Sequence, residues 1–118
     1  MNYKSYDLKN ITEIANGDEW FIRDMLLLFV NNVTEDIGKI QTLIPLEKWT
    51  SIAEVAHKMV PRFAYLSASQ LQNLSSDIEK SVLIDNNLSE IAEKAEKLCK
   101  DSTMLVEQLK NDFDFLSN

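Results

Sequence analysis

Apolar residues recur along this chain three and four positions apart, in runs broken by polar or turn-forming residues. That period places each run on one face of an α-helix. The shortest run is Tyr6, Leu8, Ile11 and Ile14, followed by Asn16-Gly17, where the backbone tolerates positive φ and a helix stops. A short lid helix of roughly one to two turns is expected there. Asp18 is then placed to cap a long helix with the stripe Phe21, Met25, Leu28, Phe29, Val33, Ile37, Ile40 and Ile44, ending near Pro45. After a Pro45-Leu46-Glu47 turn, Trp49, Ile52, Ala56, Met59, Phe63 and Leu66 form the seam of a second long helix. Ser67, Ala68 and Ser69 interrupt the period and start a third, carried by Leu71, Leu74, Ile78 and Val82 up to the turn-forming cluster Asp85-Asn86-Asn87. The last helix runs from about Leu88 through Ile91, Ala95, Leu98, Leu105, Leu109 and Phe113.

Four long amphipathic helices with short connections must run antiparallel and bury their stripes against one another. The predicted fold is all-α: an antiparallel up-down four-helix bundle with a short extra N-terminal helix. Residues 1–118 are read as a single domain, since the length suits one core and no internal repeat or low-complexity segment appears. Composition agrees with this, because 45% of residues are hydrophobic while only two glycines and two prolines occur. Core-forming material is plentiful and turn chemistry scarce.

Charge narrows the partners. The formal net charge is −7 and the sequence pI about 4.6, which disfavours a nucleic acid or an anionic membrane surface. The longest apolar run, Met25 to Val30, is far short of the roughly 20 residues of a membrane-spanning helix. The first residues, Met1-Asn2-Tyr3-Lys4-Ser5-Tyr6, lack the apolar core of a secretory signal, so a cytoplasmic protein is expected. Cys99 is the lone cysteine and lies beside Leu98, where it reads as a small hydrophobe rather than a redox group. Trp20, next to the start of the long stripe, either anchors the first helix or stays open to a partner.

The candidate chemistry centres on His57, the only histidine. It follows the seam residue Ala56, and at about 100° per residue it turns away from the core centre toward solvent. Ala53, Pro61 and Ala64, all compact, share its face and would let a partner come close. An imidazole of ordinary pKa, about 6.5, is largely neutral at pH 7 and offers one nitrogen as nucleophile while the other is held by a hydrogen bond. Lys58 and Arg62 flank it as candidate phosphate or docking cations, and otherwise as solvated helix charges. Val60 and Ala64 are candidates for a half-exposed apolar docking patch, whereas Trp49, Met59 and Phe63 fall on the seam. A metal at His57 is not expected, since it has no second histidine and Cys99 lies on another helix. Neither a Gly-rich phosphate loop nor a nucleotide-binding domain fits in the chain.

The run Ala56-His57-Lys58-Met59, with Trp49 upstream and Leu66, Leu71, Leu74 and Glu79 downstream, resembles the motif of histidine phosphotransfer (HPt) domains. The lead-in Tyr6-Asp7-Leu8, the Gly17-Asp18 helix start with Phe21 inside it, and the order of the helices extend the resemblance over most of the chain. It implies a phosphorelay intermediate in which His57 accepts a phosphoryl group from the aspartyl phosphate of a response-regulator receiver domain and passes it to another receiver. It also implies no ATP site and no independent kinase activity, Mg²⁺ on the partner receiver only, and a hybrid sensor histidine kinase as a possible further partner. The bundle itself, with four self-contained stripes, is expected to be a monomer. Departures from the family pattern cluster behind the histidine. Val60, Pro61 and Arg62 stand where many members have lysine, glycine and a small polar residue. Pro61 has no N–H for the His57 carbonyl and is expected to bend the helix locally. The alternative reading is a divergent helical interaction module that binds partners without transferring phosphate.

Overall fold

Asp18 accepts hydrogen bonds from the backbone N–H groups of Trp20 at 3.0 Å and Phe21 at 3.2 Å, satisfying two of the donors that the first turn of a helix leaves open. The computed structural model describes residues 5–85 and 87–117. Its helices are α1 (Lys9–Ile14), α2 (Glu19–Leu43), α3 (Trp49–Tyr65), α4 (Ser69–Lys80) and α5 (Leu88–Asp112). A π-helical turn, Ser81–Asp85, continues α4, and a 3₁₀ turn, Asp114–Leu116, follows α5. None of the described residues forms a strand.

The four long helices close a ring in which α2 packs on α3 and α5, and α4 packs on the same two. The predicted bundle with its short first helix is therefore the observed one. Asn87 stands at the N-cap position of α5 without a side-chain capping hydrogen bond, and Asn86 of the expected turn lies outside the described residues. The connections turn sharply at positive φ, at Asn16-Gly17 after α1, at Glu47 after α2 and at Ser67 after α3. At the last of these, the Ala68 N–H donates to the Phe63 carbonyl at 3.0 Å, closing the end of α3 and sending α4 back alongside it.

The core gathers Leu26, Phe29, Val33 and Ile40 from α2 with Ile52, Met59 and Phe63 from α3, Leu71 and Ile78 from α4, and Leu98, Leu105 and Leu109 from α5. Two expectations for its edges are corrected. On α2, Phe21 and Leu28 are exposed (46% and 60%), and Leu26 and Val30 are buried instead. The run Met25 to Val30 is apolar throughout, so its local pattern fits two helical registers, and contact with α3 and α5 selects one. On the first helix, Ile14 is exposed and the adjacent Ala15 is buried. No helix among the described residues is long and apolar enough to cross a membrane.

Candidate functional site

His57 stands at the middle of α3, with 70% of its side chain exposed. Its Nδ1 lies 2.6 Å from Glu79 Oε2, on the last turn of α4. A carboxylate oxygen carries no hydrogen, so Nδ1 is the donor, and in the neutral ring Nε2 is then the bare nitrogen with its lone pair available. Both residues reach this position for the same local reason. Each follows a seam residue, Ala56 for His57 and Ile78 for Glu79, and at about 100° per residue each emerges at the edge of the α3–α4 interface.

Around the pair runs an open groove of about 670 Å³, to which α2 contributes Asn32, α3 contributes His57, Lys58, Val60, Pro61, Arg62 and Tyr65, and α4 contributes Ser76 and Glu79. The candidates read from sequence separate here. Lys58 is exposed, with no ion-pair partner among the described residues, and is the cation available beside the imidazole. Arg62 lines the groove, but its guanidinium is engaged by Asp36 of α2, whose side chain is only 5% exposed. Its expected role as a free phosphate cation is corrected to that of an ion-paired bridge between helices. Val60 and Pro61 line the groove as half-buried and exposed residues. Ala53 is corrected outright: it is 3% exposed, so a partner cannot reach it from the groove. Ala64 is half-buried and outside the groove lining, and its carbonyl accepts a hydrogen bond from Asn10 Nδ2 at 3.0 Å.

Sequence reasoning quoted Glu79 only as part of a resemblance and missed Asn32, Tyr65 and Ser76. For Glu79 a signal existed, since it occupies the same off-seam position on α4 that His57 occupies on α3. Asn32 depended on the register of α2, which the apolar run obscured.

Elsewhere, Trp20 is 72% exposed, with the Arg23 guanidinium over its ring at 5.5 Å and over Phe115 at 4.5 Å. These residues line a separate depression that holds no nucleophile. Cys99 is buried, and its thiol is pushed up to about 11, first by burial and then by the nearby Glu96 charge. No group of three or more His, Cys, Asp or Glu side chains converges on a metal position among the described residues.

A family model described as the Hpt domain matches residues 24–116, from within α2 through the end of α5 and its 3₁₀ turn. No curated protein and no solved structure matches the chain.

Proposed function

Because the chain belongs to the Hpt domain family, whose members act in histidine phosphotransfer within two-component phosphorelays, we propose that His57 is its phospho-acceptor and that Nε2 is the attacking atom. A receiver domain carrying an aspartyl phosphate docks on the groove between α2, α3 and α4. Nε2 attacks phosphorus in line with the leaving carboxylate, an N–P bond forms as the aspartyl O–P bond breaks, and the aspartate is released. The same steps in reverse pass the group to another receiver. Glu79 holds the Nδ1–H tautomer and stabilises the positive charge that the ring gains on attack. Lys58 offsets the charge of the transferred group. Mg²⁺ stays with the receiver, and the bundle works as a cytoplasmic monomer that positions the nucleophile.

The observation that carries this reading is the 2.6 Å contact between Glu79 and a histidine that is 70% exposed. A histidine serving only the fold gains nothing from a fixed tautomer at the surface, whereas a nucleophile does. The test incubates the domain with a panel of receiver domains loaded with acetyl phosphate and follows acid-labile phosphate on the chain. Transfer to the wild type and its loss in His57→Gln are expected, and equal labelling of the variant would overturn the assignment. The second reading, a helical module that binds receivers without accepting phosphate, draws on Pro61 beneath the nucleophile and on Arg62 being engaged by Asp36. Binding without any transfer across the panel favours it.

A further inference from the structure

Pro61 sits inside α3, where a helical residue would donate its N–H to the carbonyl four positions back, which here belongs to His57. The turn that carries the nucleophile therefore lacks one rung, and an interior proline ordinarily kinks or ends a helix at that place. Yet α3 continues past it to Tyr65, and His57 still meets Glu79 of α4 at 2.6 Å. A hinge between residues 57 and 61 would swing the imidazole relative to α4, so something holds the two sides of the break together.

Arg62 is the next residue after the proline, and its guanidinium crosses to Asp36 on α2. The level at which it lands is informative. Phe29 of α2 meets Phe63 of α3 edge to face, with ring centroids 6.1 Å apart. From there Asp36 is two turns further along α2, about 10 Å, and since α3 runs the opposite way it is level with the Ala56-His57 step. Arg62 therefore starts on the C-terminal side of the missing rung, reaches back along α3 in the direction that helical side chains favour, and is fastened at the height of the nucleophile. Both partners are mostly buried, 27% and 5% exposed, so water screens the pair little. The other polar ties at this end of α3, Asn10 to the Ala64 carbonyl and the Asp7 N–H to the Leu66 carbonyl, lie beyond the proline and do not span the break.

We infer that the Asp36–Arg62 ion pair is a splint across the proline-interrupted turn of α3, a positioning device that keeps His57 in register with Glu79. Arg62 thus acts through His57 and does not touch the phosphoryl group. The inference rests on His57 being the acceptor for its functional meaning, but not for its structural test.

That test compares the wild type with the apolar double variant Asp36→Leu/Arg62→Met, which removes the pair without leaving a buried charge unpaired, and with the triple variant that adds Pro61→Ala to restore the rung. Nitrogen-15 shifts of the His57 ring in mildly alkaline buffer report the tautomer, and thermal melting reports folding. Transfer from an acetyl-phosphate-loaded receiver is resolved into its saturating rate and its half-saturating receiver concentration. The splint predicts a mixed-tautomer imidazole in the double variant, a saturating rate about tenfold lower with unchanged half-saturation, and recovery of both in the triple variant. Wild-type ring signals in the double variant overturn it. So does a triple variant as disturbed as the double, because the pair would then act regardless of the proline, and so does a change confined to half-saturation, which would make Arg62 a docking residue. If the double variant is unfolded, a folded triple variant with native ring signals supports the splint and an unfolded or disturbed one overturns it. Should the wild type accept no phosphate, the functional proposal fails while the ring signals still decide the role of the pair.

Discussion

At the scale of single residues, the site is a matter of which nitrogen of one imidazole is bare. Glu79 settles this by accepting a hydrogen bond from Nδ1–H, which keeps the proton on Nδ1. With His57 mostly exposed, the pair adds little to stability, so Glu79→Ala is expected to slow phosphoryl acceptance about tenfold by releasing the tautomer while leaving the melting temperature nearly unchanged. Glu79→Gln, whose side-chain oxygen still accepts from Nδ1, should keep the tautomer and lose less. Single-turnover transfer assays on both variants check the order. Cys99 makes the opposite point, that a reactive residue type can be silent. Its thiol, raised to about 11, holds almost no thiolate at neutral pH, so labelling by a disulfide reagent should be slow in the folded protein. The rate should rise steeply once denaturant exposes it, and fast labelling of the native chain would contradict the burial described.

At the scale of helices, the sequence gives period more securely than register. The seam of α3 is legible because Glu54, His57, Lys58 and Arg62 between its members leave one choice of face: Ile52, Ala56, Met59, Phe63 and Leu66 are buried, while Trp49 at its start is half-buried. On α2 the six-residue apolar run erases that contrast, and the period points to Leu28 where the packing buries Leu26. Truncation distinguishes the two by energy. Leu26→Ala should cost about 2–5 kcal/mol in denaturant unfolding through lost burial and the cavity left behind, whereas Leu28→Ala, at 60% exposure, should stay within about 0.5 kcal/mol. The turn signals were equally legible, and Gly17 at φ 76° shows why. A Cβ there would meet nothing within 4 Å, so Gly17→Ala should be destabilising through backbone conformation alone, by about 1 kcal/mol, as read from the same unfolding curves.

At the scale of the whole molecule, four amphipathic helices each find partners within one chain, and sedimentation is expected to show a monomer of 13.6 kDa at the concentrations used for transfer assays. A concentration-dependent mass would show that the exposed apolar residues Trp20, Leu28 and Leu83 are used between copies. By itself the sequence determined the number and order of the helices, the Asp18 cap, the turns, and the exposure of His57, because each of these follows from local period and from φ preferences within a few residues. Only the tertiary structure decided what surrounds the imidazole. That Glu79 comes within 2.6 Å of it, that Asp36 engages Arg62 and removes it from the free cations, and that Ala53 is sealed while Lys58 stays open all depend on how closely α3 approaches α4 and α2. Those spacings are set by side chains 22 to 26 residues apart in sequence, meeting across helix interfaces. No pattern local to the chain encodes them.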